Sequence, residues 1–139
     1  MYKEKNFIDD VKSFFLMTEK DFEHKDEHIH TFDYPYFVYL DDEKVGCMYL
    51  HSDKHVIANH IHLCYLFIYS TNKGTGTEVL SKVCQLADQH RMTLFLDAVP
   101  QRPNENSIPQ WKLKEWYKSF GFIQSEYSGS NDMERTPCI

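Results

Sequence analysis

The sequence predicts an α/β domain built around a strand, a glycine-containing turn and a helix that follow one another directly. Three observations predict it. Residues 60–68 form a nearly continuous apolar run of strand composition. Gly74 and Gly76 come next, and a helical pattern begins at once. A second apolar strand, residues 93–98, follows that helix. This order predicts a sheet whose ligand crevice lies at the carboxyl end of its central strand.

Apolar residues recur at helical spacing in three segments, which predicts three amphipathic helices. The first carries Phe7, Val11 and Phe15 on one face. The second starts at the glycines and ends near His90, whose charge would complement a helix carboxyl end. The third ends at Gly121, a typical helix stop. The predicted bounds of the first two helices are 6–17 and 76–89. The apolar pattern of the third begins at Trp111, and that helix ends at residues 119–121.

Runs rich in aromatic and β-branched residues predict the strands. Residues 34–40 and 45–50 flank a polar turn and predict a hairpin. Residues 60–68 are apolar at nearly every position, a pattern typical of a strand buried on both faces. Two short strands near 122–127 and 132–136 close the chain. The polar or proline-rich remainder predicts a short helix or mobile segment over 18–30 and loops over 52–58 and 99–109.

The turn at residues 72–77 is a candidate ligand site. Glycine removes Cβ, and the start of a helix carries unpaired N–H groups and partial positive charge, so a phosphate or pyrophosphate could be held there. The alternative is a turn that only closes a strand-to-helix connection. A Walker-type loop is excluded because Thr77-Glu78 follows the last glycine, and a dinucleotide fingerprint fails because residue 79 is Val.

Composition limits the kind of protein further. The 139 residues predict one domain, residues 1–139. A net charge of −6 argues against duplex nucleic acid as the main partner and mildly favours a cationic or neutral substrate. The four cysteines form no C-x-x-C pair and suggest reduced, mostly buried thiols. With no signal peptide and no membrane span predicted, we expect a soluble, cytoplasmic protein.

Two separate segments resemble the GNAT superfamily of acyl-CoA-dependent N-acetyltransferases. One is the turn Asn72-Lys73-Gly74-Thr75-Gly76-Thr77, and the other is the segment Trp116-Tyr117-Lys118-Ser119-Phe120-Gly121-Phe122 some forty residues later. The similarity spans roughly residues 34–136. It implies a mixed, mostly antiparallel central sheet that is splayed between two central strands and flanked by helices. The family's first strand is absent here or reduced to Met1–Lys5.

The resemblance also implies acetyl-CoA as co-substrate, held in the gap between the two central strands. The pantetheine arm would pair with the backbone of Leu66, Phe67 and Ile68. The pyrophosphate would be held by N–H groups of the turn, with these residues as the cofactor-binding set: Asn72, Lys73, Gly74, Thr75, Gly76 and Thr77.

The predicted chemistry is direct acyl transfer from a thioester to a primary amine. Tyr117 matches the family's tyrosine beside the departing thiol and is the candidate proton donor; the alternative is a core tyrosine. His60 and His62 are the candidate bases, because residues two apart on a strand share a face and histidine titrates near neutrality. The serotonin N-acetyltransferase branch of the family looks similar here. The alternative is that both histidines merely begin a strand at the surface.

Three further expectations concern ligands and partners. The eight histidines include His24 and His28 at helical spacing, but no recognisable zinc set is completed, so no native metal is expected. The acceptor is an amine on a small molecule, a polyamine or a protein; no nucleic acid or membrane partner is expected, and a homodimer is compatible with the sequence. The alternative functions are a non-catalytic acyl-CoA-binding or interaction module and a domain that binds another phosphorylated ligand.

Overall fold

The structure is a computed structural model, and it describes residues 3–17, 36–52, 58–69, 74–98, 109–124 and 132–138. Helices and strands alternate as the sequence predicts for an α/β domain. In chain order the elements are α1 (Lys3–Phe14), β1 (Tyr36–Leu40), β2 (Glu43–Ser52), β3 (His60–Ile68), α2 (Thr75–His90), β4 (Thr93–Asp97), α3 (Gln110–Lys118), β5 (Ile123–Gln124) and β6 (Asp132–Arg135).

The strands form one mixed sheet in the order β1-β2-β3-β4-β6-β5. Four of its neighbouring pairs are antiparallel, and only the central pair, β3 with β4, is parallel. The predicted hairpin is confirmed: Leu40 pairs with Glu43 across a two-residue loop. Asp41 and Asp42 both have positive φ, 51° and 65°. This is the backbone of a type I′ turn, which matches the twist of the flanking strands.

The predicted helix bounds shift in the structure. α1 begins at Lys3 rather than at residue 6, so Lys3–Lys5 form no strand. It ends at Phe14 because Leu16 adopts a φ of 54° and the Met17 N–H donates back to the Lys12 carbonyl at 2.8 Å. α2 and α3 each begin one residue earlier than predicted. The described residues do not include the predicted segment 18–30, most of the predicted loops 52–58 and 99–109, or residues 125–127 of the predicted strand 122–127.

The expectation that β3 is buried on both faces is wrong. Only Ile61 and Leu63 are buried among the strand residues whose side chains are described. The sequence pattern misleads because β3 contains a β-bulge. Tyr49 of β2 pairs with residue 65 and Leu50 pairs with Leu63, so Cys64 is an extra residue between the two pairs. The bulge reverses the alternation, so apolar residues of both phases fall on one face. Apolar residues therefore occupy successive positions in the sequence, as they do in a strand that is buried on both faces.

The core lies between that face of the sheet and the helices α1 and α2. Buried side chains from each of these layers belong to one cluster, among them Phe7, Val79, Ile61 and Leu94. All four cysteines are free thiols; Cys47 and Cys84 are buried, Cys64 is half-buried and Cys138 is exposed. No helix in the described part of the chain is long and apolar enough to cross a membrane.

A buried ion pair ties the end of α2 to β6. The Arg135 guanidinium donates from Nη1 and Nη2 to the two carboxylate oxygens of Asp88, at 2.8 and 3.0 Å. Its Nε donates to the Phe120 carbonyl at 2.7 Å, and the Cys138 N–H donates to Asp88 at 2.8 Å. Arg135 is 7% exposed. The strand β6, the residues that follow it, the end of α2 and the turn after α3 are therefore held at one point.

Candidate functional site

The two central strands separate partway along their length. β3 and β4 pair at only three positions, and the last pair is His62 with Phe95. β3 continues for six residues beyond this pair, to Ile68, which is roughly 20 Å of strand. The sheet therefore opens between its central strands, as the sequence analysis expected. The half-buried residues Leu66, Phe67 and Ile68 lie on this part of β3.

The start of α2 follows the open end of β3. Gly74, the residue before the helix, has φ 73° and makes no side-chain cap. The first intrahelical bond of this end is donated by the Glu78 N–H to the Gly74 carbonyl at 3.0 Å. The N–H groups of residues 75–77 thus have no acceptor within the helix. Together with the helix dipole they make this end suitable for an anion.

The two glycines of the turn have different surroundings. Among the described residues, no heavy atom lies within 4 Å of a Cβ built on Gly74. A Cβ on Gly76 would instead lie 3.5 Å from the Trp116 indole and 3.6 Å from the Ile68 side chain. The absent side chain at Gly76 therefore leaves room for protein atoms rather than for a ligand. Asn72 and Lys73 lie outside the described residues.

Trp116 connects three elements at this end of the sheet, a role that the sequence analysis missed. Its Nε1–H donates to Thr77 Oγ1 at 3.3 Å, and its ring lies beside Gly76 and Ile68. It packs against Phe120 with ring centroids 5.1 Å apart. The indole thereby joins α3 to the start of α2 and to the end of β3. The sequence predicts a functional role only for the adjacent Tyr117, because spacing along α3 does not indicate which residue contacts α2.

His60 and His62 lie where the gap between the central strands begins. Both rings contact Phe95 on one face of the sheet: His62 stacks on it with centroids 4.7 Å apart, and His60 lies 6.2 Å away. His60 Nδ1 is 2.9 Å from the Ala58 carbonyl, so Nδ1 carries the hydrogen and Nε2 remains to accept a proton. That Nε2 is 3.7 Å from the Glu134 carboxylate. Glu134, absent from the sequence-based site, would pair with a protonated His60.

Tyr117 is packed inside an aromatic cluster. It is 7% exposed, and its ring lies 5.5 Å from that of Phe122 and 5.1 Å from that of Trp116. Burial raises the pKa of Tyr117 well above its ordinary value. The phenol is therefore protonated at neutral pH, and it is a weaker acid than an exposed tyrosine. Among the described residues, no hydrogen bond or ring contact joins Tyr117 to either histidine.

Metal-binding side chains do not cluster in the described part of the chain, where no group of three His, Cys, Asp or Glu could hold an ion. Of the eight histidines in the sequence, four lie outside that part: His24, His28, His30 and His55. Cys84 faces the Asp88–Arg135 pair, and burial raises the pKa of its thiol to about 11.

Comparison with known proteins gives matches by structure alone. No protein-family model matches the sequence, and no curated protein matches it significantly. Among solved structures, Tetrahymena GCN5 covers 100% of this chain and 92% of its own, with a TM-score of 0.52 and 14% identity. A GNAT family acetyltransferase from Elizabethkingia anophelis, solved with acetyl-CoA bound, covers 74% of this chain and 75% of its own, with a TM-score of 0.50 and 15% identity.

A third structural match concerns nucleic acid. The KacTA–DNA complex matches 79% of this chain and 71% of its own, with a TM-score of 0.50 and 20% identity. The sequence-based expectation of no nucleic-acid partner therefore stays a prediction. At these identities the matches establish architecture, and they agree with the mixed sheet that opens between its two central strands. The chain has the fold of the GNAT superfamily.

Proposed function

We propose that the chain binds acetyl-CoA between β3 and β4 and transfers the acetyl group to a primary amine. One observation carries this proposal: the parallel pairing of β3 with β4 stops at His62, and the open end of β3 leads directly into a helix start with free N–H groups. An opened strand edge suits an extended arm with amide groups, and the helix start suits a diphosphate. The two features lie at the same end of β3.

The residues present fit such a ligand. Leu66, Phe67 and Ile68 supply backbone beyond the last β4 pair, and the N–H groups of Gly74 to Thr77, with Asn72 and Lys73, would hold the diphosphate. The surroundings of Gly74 support this, because a ligand could approach the backbone there without meeting a described side chain. Acetyl-CoA, when bound, supplies a thioester that a neutral amine attacks directly.

The chain's own groups would move two protons. An amine with a pKa of about 10.4 is almost wholly protonated at pH 7, so a base must first remove a proton. His60 or His62 would receive it, and Glu134 would then stabilise a protonated His60. Tyr117 would protonate the departing thiolate, whose pKa is about 8.5. As the amide forms, the attacking nitrogen loses its second proton, which would restore the Tyr117 phenol. Because burial raises the pKa of that phenol, its loss of a proton to the thiolate and its recovery of one from the nitrogen would occur together.

A non-catalytic acyl-CoA-binding module is the second candidate, and the position of Tyr117 favours it. A side chain that is 7% exposed and packed between two aromatic rings has little access to a thiolate unless α3 shifts. The same gap and helix start would then bind acyl-CoA without turnover.

Two measurements separate these candidates. Acetyl-CoA at about 100 times its dissociation constant should stabilise the fold by about 2.7 kcal/mol, which raises the melting temperature. A thiol-release assay against polyamines, aromatic amines and lysine peptides then tests transfer. Stabilisation with thiol release supports the transferase, and stabilisation without release supports the module. If acetyl-CoA causes no stabilisation, both proposals fail.

The bases can be tested in the same assay. The pH–rate profiles of His60→Ala and His62→Ala should lose the acidic limb if that histidine is the base. Lys5→Ala serves as a matched control, because Lys5 pairs with Asp9 at 2.7 Å on the exposed side of α1. An unchanged acidic limb in both histidine variants would exclude them and leave a water-mediated route.

A further inference from the structure

A cavity of about 330 Å³ lies between α1 and the end of β2. Within the described residues, β1 pairs with β2 only as far as Met48, while β2 continues beside the cavity to Ser52. β2 pairs with β3 along its other edge, so this cavity is separate from the gap between β3 and β4. Its lining includes Ile8, Lys12, Met17, Tyr36, Leu50 and Ser52.

Lys12 brings a positive charge to the cavity. Its Nζ contacts the Tyr36 hydroxyl at 3.4 Å and lies 4.6 Å from that ring's centroid. Lys5, on the same helix, pairs with Asp9 at 2.7 Å. No Asp or Glu of the described segments forms such a pair with Lys12, which is half-buried. A half-buried cation with only a neutral partner attracts an anion.

Ser52 adds an unsatisfied polar atom to the same cavity. Its Oγ is buried and has no hydrogen-bond partner among the residues that the structure describes. A buried hydroxyl without a partner is unfavourable, because it has exchanged its hydrogen bonds with water for none. With its side chain rotated toward the cavity, Ser52 would donate to an acceptor oxygen of a ligand and so regain the missing bond.

We propose that this cavity binds a small organic carboxylate. The single charge of Lys12 balances one negative charge, and the hydroxyl of Ser52, turned toward the cavity, can donate to a carboxylate oxygen. The apolar side chains of Ile8 and Leu50 would contact the body of the ligand. The volume is that of a site for a small molecule. This inference is independent of the proposed acetyl transfer.

Phenylacetate is a suitable probe, with phenylacetamide as its neutral isostere and phenethylamine as its cationic analogue. Titration of the full chain by calorimetry and by ¹H–¹⁵N NMR should show saturable binding of phenylacetate, with shifts at Leu50 and Ser52. Phenylacetamide should bind at least tenfold more weakly, and phenethylamine should not bind. His51 also lines the cavity, so the titration is run at a constant pH.

Variants test the assigned contacts. Lys12→Met should weaken phenylacetate binding at least tenfold, Lys12→Arg should retain it, and Ser52→Ala should weaken it three- to tenfold. Lys5→Met, the same change on the same helix, should leave the affinity unchanged. A melting curve for each variant shows whether it is folded.

Four results would overturn the proposal. The first is equal binding of phenylacetate and its amide, and the second is tighter binding of the amine. The third is an unchanged affinity in Lys12→Met. The fourth is displacement of phenylacetate by inorganic phosphate at lower concentration than by acetate, which would assign the cavity to phosphate. The readout is binding, so none of these results bears on acetyl transfer.

Discussion

Replacing Asp88 with alanine should destabilise the protein far more than the same change at an exposed pair. The substitution removes both acceptors of the Arg135 fork and the acceptor of the Cys138 N–H. Arg135, which is 7% exposed in the intact pair, would be left with only the Phe120 carbonyl as its described partner. A buried charge that loses its partner is strongly unfavourable, because neither water nor a counter-ion replaces it.

The size of the effect follows from burial. Loss of one partner of a buried ion pair costs about 3–5 kcal/mol, and we expect the lower end because the Asp88 side chain is 25% exposed. For a chain of 139 residues, a loss of about 3 kcal/mol lowers the melting temperature by roughly 6–12 °C. Asp9→Ala is the matched control. Its pair with Lys5 has exposed fractions of 52% and 69%, and such pairs contribute about 0.3–0.5 kcal/mol.

Urea denaturation at pH 7 measures both free energies of unfolding. The double variant Asp88→Ala/Arg135→Met should recover part of the loss, since no buried charge is then left alone. If Asp88→Ala costs no more than Asp9→Ala, the pair contributes nothing and the reasoning is wrong.

The pH dependence gives an independent test. The hydrogen bonds from Arg135, followed by the Cys138 N–H, lower the pKa of Asp88 in the folded state, although burial opposes them. A lowered folded pKa means that the stabilisation is complete above the unfolded pKa, about 3.9, and is lost as the pH falls through the folded value. The difference between wild type and Asp88→Ala should therefore be constant from pH 7 to about pH 5 and shrink below about pH 4.

Three further substitutions and one labelling experiment test the site and the packing around it. Gly46→Ala should cost about 1–3 kcal/mol in urea denaturation, because the added Cβ would lie 2.1 Å from a β3 carbonyl oxygen. Gly74→Ala should cost about 1 kcal/mol through its φ of 73° alone and leave the core intact, which the same assay measures. Tyr117→Phe should lower kcat in the thiol-release assay without changing the dissociation constant of acetyl-CoA; an unchanged kcat at all pH values removes it from the mechanism. At pH 8 a thiol reagent should label Cys138 in the folded protein and spare the buried Cys84, whose pKa is about 11. Mass spectrometry measures the labelling, and Cys84 should be labelled once the protein is unfolded.

Local patterns were sufficient to predict most of the elements. The hairpin around Asp41-Asp42, the strand at residues 60–68 and the helix that follows the glycines all arise from interactions between near neighbours in the chain, which composition and spacing record. The helix start at Gly74 could be predicted for the same reason. Its αL backbone is one that glycine adopts without strain.

Contacts between distant segments could not be predicted in this way. The β-bulge at Cys64 depends on how β2 pairs with β3, and the Asp88–Arg135 pair joins residues 47 positions apart. Trp116 reaches Thr77 across 39 positions. Glu134 faces His60 only because β6 lies beside β4. Spacing along the chain carries no record of such partners.

Which segments form helices and strands can be predicted from the sequence, because these elements depend on hydrogen bonds and side-chain patterns within a few residues. Three features depend instead on tertiary packing. The pairing of β3 with β4 ends at His62, Trp116 lies beside Gly76, and Lys12 and Ser52 line one cavity. Each of these depends on the relative placement of whole elements, which is set by the packing of one core.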